Sequence, residues 1–187
     1  MNESNSTSEI KTFRWTTPEL VAIGVFAALI RIAGLSIVLA SGGMNPIGLI
    51  LLGAVSTALL IVLLHKSPVT GTLTLYILIY ALFSILVMGS GLDRILTVML
   101  AAIIVDLLSL IWGGYNKTWK IILAVGLLDL ISRGLVLIIV YLVSREYPGM
   151  ILIAFLAICS VYAGNILGLF VGRSFVKELR IAGVIRR

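Results

Sequence analysis

The chain has 187 residues, of which 60% are hydrophobic and 12% charged, and a formal net charge of +6. An ordinary soluble domain carries about 25% charged residues, and a mean hydropathy of +1.19 places this chain outside that class. In a soluble protein the basic excess would point to nucleic acid; here it follows the loops of a membrane protein and implies no nucleic-acid partner.

Residues 1–18 form a polar segment rich in Ser, Asn and Thr. Six apolar runs follow: Leu20 to Ala40, Pro46 to Leu64, Val69 to Met88, Leu92 to Trp112, Trp119 to Ser144 and Met150 to Gly172. Each reaches the roughly 20 residues that a helix needs to cross the hydrocarbon core. Residues 19–172 are therefore expected to form one all-α domain, an integral membrane bundle of six transmembrane helices. The first run is too long for the roughly 7–15-residue core of a cleavable signal. Turns fall near Ser41–Asn45, Gly89–Gly91 and Arg145–Gly149 at one end, and at His65–Pro68 and Gly113–Thr118 at the other, all punctuated by Gly or Pro. The tail, residues 173–187, mixes Phe175, Val176, Leu179 and Ile181 with basic residues and reads as a short interfacial helix.

Basic residues in short loops favour the cytosolic side. If the N-terminus is inside, the inner segments hold Lys11, Arg14, Lys66, Lys117, Lys120, Arg173, Lys177, Arg180, Arg186 and Arg187, and the outer loops only Arg94 and Arg145. Trp15, Trp112 and Trp119 then all fall at the inner interface. The expected topology is multi-pass in the cell membrane with both termini cytosolic.

Four charged residues fall well inside apolar runs: Arg31, Asp106, Asp129 and Arg133. Each costs roughly 2.5–3.5 kcal/mol at the centre of a membrane helix, so none should face lipid. Asp129 and Arg133 are four apart and share a helix face. Counting about 1.5 Å per residue puts Asp129 level with Arg31 near mid-membrane, and Asp106 about two turns from Trp112. The four form either a neutral structural network or part of a ligand site, with Arg133 the foremost functional candidate. Small residues recur at four-residue spacing in the sixth run (Ser160, Gly164, Gly168, Gly172), the pattern that lets membrane helices approach closely. Gly24 and Ala28, with Ala27 beside them, repeat it in the first run, and Ala54 and Ala58 in the second. Asn165 and Tyr162 are polar and expected to point inward, whereas Tyr76, Tyr80 and Phe83 read as a core stripe. At the outer end, Met44, Asn45, Asp93, Arg94, Tyr141, Glu146 and Tyr147 gather the aromatic and hydrogen-bonding groups that suit a small polar ligand.

Catalytic signals are missing. No GxxxxGK[ST] loop or HExxH motif occurs, and the single histidine, His65, falls in an inner turn where it reads as solvated. No Cys and His cluster suggests a metal, and Cys159 is alone. The chain is not expected to be an enzyme or to carry a cofactor.

The segments AIGVFAALIRI (Ala22–Ile32), ASGGMNPIG (Ala40–Gly48) and HKSPVTGTLTLYILIYALFSILVMG (His65–Gly89), set in a basic six-span chain of this size, resemble the substrate-binding S component of energy-coupling factor (ECF) vitamin transporters. The resemblance covers residues 19 to 172 and implies capture of a vitamin or vitamin precursor from outside, with the first outer loop as a lid. By position it nominates Asn45, Asp93, Asp129, Arg133, Tyr141 and Tyr162 as substrate contacts. It also implies that Gly24, Ala27 and Ala28 meet a membrane coupling subunit, which recruits two ATPase subunits. The rival expectations are a standalone secondary transporter or channel using Asp106 and Asp129, and a membrane scaffold whose charges are all structural.

Overall fold

The computed structural model describes residues 15–43, 45–88, 92–144 and 148–182, without the side chains of residues 87, 88, 92–94 and 148. These residues form six helices and no strand: α1 (Thr17–Ala40), α2 (Pro46–Lys66), α3 (Thr72–Met88), α4 (Leu92–Ile111), α5 (Thr118–Val143) and α6 (Pro148–Ile181). Four of them, α1, α2, α5 and α6, are long and apolar enough to cross a membrane. The protein is an all-helical, membrane-embedded bundle. At about 1.5 Å per residue the 17-residue α3 is only about 26 Å long, against a hydrocarbon core of about 30 Å. Val69, Thr70 and Gly71, read as the start of the third run, belong to the turn that precedes it.

Local chemistry sets the helix ends. Glu19 Oε2 accepts hydrogen bonds from Thr16 N–H and Thr16 Oγ1, at 2.8 and 2.9 Å, at the start of α1, the reciprocal device of a capping box. Asn45 caps α2, with Oδ1 accepting from Gly48 N–H at 2.6 Å and Pro46 at the first helical position. Gly113 and Gly114 end α4 in the left-handed region, φ +75 and +79, and Gly114 N–H reaches back to Ser109 O at 2.7 Å. That backbone is strained for any residue with a Cβ.

The helices pack as a closed ring: α1 against α2 and α3, α3 against α4, α4 against α5, α5 against α6, and α6 against α2, with α2 also reaching α5 across the middle. The most extensive contact is α2 on α6, and the small-residue stripe makes it. Gly164 lies against the Ile50 backbone, Gly168 against Ala54 and Thr57, and Gly172 against Ala58 and Ile61. A Cβ on Gly168 would stand 2.5 Å from Ala54 O, so only glycine permits this approach. The stripe in the sixth run, and Ala54 and Ala58 in the second, serve packing inside the bundle.

Two expectations change. The tail does not fold as a separate helix: α6 is continuous over 34 residues, through Arg173 to Ile181. No Gly or Pro follows Gly172 within that stretch, and Gly172, Val176 and Leu179 keep one stripe packed on the bundle at i, i+4, i+7 spacing. His65 is not a solvated loop residue; it is half-buried in the last turn of α2, with Nδ1 at 2.9 Å from Ile61 O.

The interior is uneven along its length. The buried apolar side chains concentrate at the end that carries Trp15, Trp112 and Trp119: Ile23, Ala27 and Ile30 of α1, Leu60 to Leu64 of α2, Leu73 and Ile77 of α3, Ala102 and Val105 of α4, and Val125 and Leu128 of α5. Towards the opposite end the buried positions become small or polar. Thr57, Ser84, Thr97, Ser132 and Asn165, from α2, α3, α4, α5 and α6 respectively, are all buried there, with Gly53 and Gly164 between them.

Candidate functional site

A layer of polar groups crosses the bundle where the apolar core gives out. Arg31 reaches from α1 to α3: its Nη1 donates to Tyr80 Oη at 3.0 Å, and its guanidinium carbon lies 5.3 Å from the Tyr80 ring centroid. A guanidinium over an aromatic face gains cation–π attraction that strengthens when water is excluded. Tyr76, one turn along α3, is 5% exposed and stacks on Tyr80 with centroids 6.0 Å apart and a tilt of 34°. From the other side, Thr57 Oγ1 of α2 donates to Asp129 Oδ2 of α5 at 3.3 Å. Arg133, one turn further along α5, interacts electrostatically with Asp129. Asp129 and Arg31 both interact with Tyr76, so the two charged pairs belong to one neighbourhood, as helix counting from their span ends implies. α1, α2, α3 and α5 each place a polar side chain here.

Asp106 stands apart from this layer. Its Oδ2 accepts from Thr74 N–H at 2.8 Å and from Thr74 Oγ1 at 2.6 Å, in the first turn of α3. Its Oδ1 accepts from Tyr115 Oη at 2.6 Å. This α4 carboxylate therefore caps another helix, where the amide dipoles favour negative charge, and ties it to the α4–α5 turn. Tyr115 is 1% exposed; burial, and then the adjacent Asp106, push its hydroxyl pKa well up. The buried charges are thus two systems: a structural clamp at Asp106, and a layer containing Arg31, Asp129 and Arg133.

The other nominated residues are scattered. Asn45 uses both ends of its amide in the α1–α2 turn, donating from Nδ2 to Ser41 O at 2.6 Å as well as capping α2. Tyr141 is 54% exposed on α5, and Tyr162 is half-buried on α6. Asp93 opens α4, but its side chain lies outside the described residues, as do Met44, Arg94, Arg145, Glu146 and Tyr147. In the first-span patch, Ala27 is fully buried in the core, whereas Gly24 and Ala28 are half-buried and a Cβ on Gly24 would meet nothing within 4 Å. Phe83, expected in the aromatic core stripe, is exposed; Tyr76 and Tyr80 face inward.

Thr57, Ser84, Thr97 and Ser132 were not singled out by sequence. Their only signal is a lone hydroxyl in an apolar run, which is common on helices that merely back-bond to their own carbonyls. Asn165 had been read as inward-pointing; it is 4% exposed, and its Nδ2 has no hydrogen-bond partner among the described residues. Two hollows lie towards the tryptophan end. One is an apolar groove of about 310 Å³ between α3 and α4, walled by Trp15, Leu75, Leu78, Ile103 and Leu107 with Asp106 at its edge; the other, of about 40 Å³, lies beside His65. Neither touches the Asp129–Arg133 layer. Among the described residues no group of three or more His, Cys, Asp or Glu could hold a metal ion. No protein-family model, curated protein or solved structure matches the chain.

Proposed function

We propose that the protein is the substrate-capture subunit of an ECF-type ABC importer. It binds a vitamin or vitamin precursor on the extracellular side and releases it inside when joined to a membrane coupling subunit and two ATPases. In this reading all six helices span the cell membrane, both termini are cytosolic, and the tryptophan end faces inward. One observation carries the reading: beyond the apolar core, α1, α2, α3 and α5 bring Arg31, Thr57, Tyr80, Asp129 and Arg133 into one polar layer, whereas Asp106, nearer the tryptophan end, is engaged by Thr74 and Tyr115 at the helix ends. A scaffold needs no such layer, because charges at bilayer depth cost free energy unless they are used. Asp129, Arg133, Arg31, Tyr80 and Asn165 are the substrate-facing groups. The outer helix ends part to admit the ligand. Asn45 acts by holding the first outer loop, and Gly24 and Ala28 offer the open helix face that a coupling subunit meets.

The test is a thermal-shift screen of the purified chain against water-soluble vitamins and their biosynthetic precursors. One compound should stabilise it strongly and bind at nanomolar to micromolar concentration, and Arg133→Ala should weaken that binding at least about tenfold, the loss of one charge-assisted hydrogen bond. A full screen with no stabilising compound, or a hit indifferent to both Arg133→Ala and Asp129→Asn, overturns the reading. Uptake by proteoliposomes of this chain alone would favour a standalone transporter instead.

A further inference from the structure

The close packing of α6 on α2 sets the depth of the residues that follow it. Gly172 lies against Ala58 and Ile61, so Arg173 reaches the bundle surface about level with that stretch of α2. α2 runs on past Ile61 to Lys66, its last residue. Thr57 meets Asp129 of α5, ten residues from Trp119, which sets Trp119 near the level of Lys66. At about 1.5 Å per residue, Arg173 therefore stands roughly 10 Å closer to the middle of the bundle than Lys66 and Trp119 do.

Arg173 is not buried there. Arg173, Lys177 and Arg180 are all exposed, and their i, i+4, i+7 spacing sets them on one face of α6. Ile166 and Phe170, earlier on the same face, are exposed as well. The exposed surface of α6 thus changes from apolar to basic along a single line, at a depth where α2 still buries Leu60 to Leu64 and α4 exposes the apolar Ile104. Glu178, the only acidic residue of α6, stands at neither i+3 nor i+4 from any of the three cations, so the helix does not neutralise its own line. Cations held below the headgroup plane are met by snorkelling of their long side chains and by local thinning of the bilayer. Apolar and then basic is also the order of a phospholipid, with the acyl chain beside Ile166 and Phe170 and the phosphate at the cations.

We propose that this face of α6 is a docking surface for anionic phospholipid. The phosphate groups reach Arg173 and Lys177, Arg180 continues the line towards the tryptophan end, and the leaflet is drawn inwards on the α6 side. The proposal uses only the membrane-embedded bundle and is independent of any substrate at the Asp129–Arg133 layer.

The experiment uses the full chain in nanodiscs of phosphatidylcholine alone or mixed with phosphatidylglycerol, read by thermal unfolding and by native mass spectrometry. Phosphatidylglycerol should raise Tm and be retained on the protein. The double variant Arg173→Gln, Lys177→Gln should keep the parent's Tm in phosphatidylcholine and lose about tenfold or more in apparent affinity for phosphatidylglycerol. The double variant Lys66→Gln, Lys117→Gln removes the same charge from exposed positions at this end and should not. The depth of the leaflet is read separately in a Cys159→Ser background, which leaves all three cations in place. Ser174→Cys should react with a membrane-impermeant maleimide in mixed discs, whereas Ile104→Cys, seven residues from the end of α4 and so at a similar depth, should not. No preference for phosphatidylglycerol, an equal loss in the Lys66 and Lys117 pair, or equal reactivity at the two cysteines overturns the proposal, as does retention of a second copy of the chain in place of lipid.

Discussion

Replacing Asp106 by alanine removes an acceptor that holds three donors: Thr74 N–H, Thr74 Oγ1 and Tyr115 Oη, all within 2.6–2.8 Å. Asp106 is 6% exposed and Tyr115 1%, so the three donors lose their acceptor inside the bundle. Each hydrogen bond to a charged group is worth about 1.5–3 kcal/mol. Removing the buried charge itself recovers part of its desolvation cost, and losses from breaking such buried sites run at about 3–5 kcal/mol. At about 2–4 °C per kcal/mol for a chain of this size, Asp106→Ala should lower Tm by about 6–20 °C. Tyr115→Phe leaves the carboxylate its two Thr74 donors and should cost about 1–2 kcal/mol. The two effects should be non-additive in a double-mutant cycle, because they share one bond. In the proposed function Asp106→Asn, if it folds, should retain ligand affinity while Asp129→Asn does not. An Asp106→Ala protein within about 2 °C of the parent, or an Asp106→Asn protein that folds but no longer binds, would refute the separation of this clamp from the polar layer.

Gly168→Ala places a methyl 2.5 Å from Ala54 O and 2.8 Å from Thr57 Cβ; thermal unfolding should report a loss of about 1–3 kcal/mol. Because Thr57 also holds Asp129, ligand affinity should fall with it. Gly24→Leu, where nothing stands within 4 Å of the added Cβ, should stay within about 0.5 kcal/mol of the parent in isolation, keep ligand affinity, and impair uptake in cells that supply a coupling subunit. Asn45→Ala should cost about 1 kcal/mol through lost capping, seen as a Tm shift of a few degrees. Tyr115 lies in the α4–α5 turn with its hydroxyl pKa raised in the fold, so the folded protein keeps this proton while the unfolded chain releases it near pH 10. Stability from this group is complete below that pH and declines as pH rises above it. Tyr115→Phe should therefore lose less Tm than the parent between pH 9 and 11.

The helices were legible because about 20 apolar residues in a row leave few alternatives, and because Pro46, Gly113 and Gly114 act locally; the Thr16–Glu19 pair, which starts α1 ahead of its apolar run, shows only in the structure. The α2–α6 seam was legible in part: four-residue spacing of small residues marks Gly164, Gly168 and Gly172 in one run and Ala54 and Ala58 in another, but that these two stripes face each other, with Ile50 completing the contact, follows only from packing. The tail was misread because basic residues after an apolar run look like an ending. The helix in fact continues, since Val176 and Leu179 still have a surface to cover. His65 was misread for a related reason: a histidine beside Lys66 and ahead of Pro68 resembles a turn, yet the turn begins one residue beyond Lys66.

The buried charges show most clearly what a one-dimensional reading misses. Arg31, Asp106, Asp129 and Arg133 sum to zero on paper and invite a single neutral network. Their separation is set by helix ends: Asp106 lies five residues from the end of α4 at Ile111, and Asp129 eleven residues into α5 from Thr118. At about 1.5 Å per residue the two stand roughly 9 Å apart along the bundle axis. Over that distance Asp106 acquires Thr74 and Tyr115, whereas Asp129 meets Thr57 at 3.3 Å and Arg133 one turn along α5. A carboxylate with three short hydrogen bonds is a finished structural element. Asp129 instead lies in a layer with Thr57, Arg133 and Arg31, and Asn165 Nδ2 on α6 has no hydrogen-bond partner among the described residues; in the proposed function the ligand binds at Asp129 rather than at Asp106.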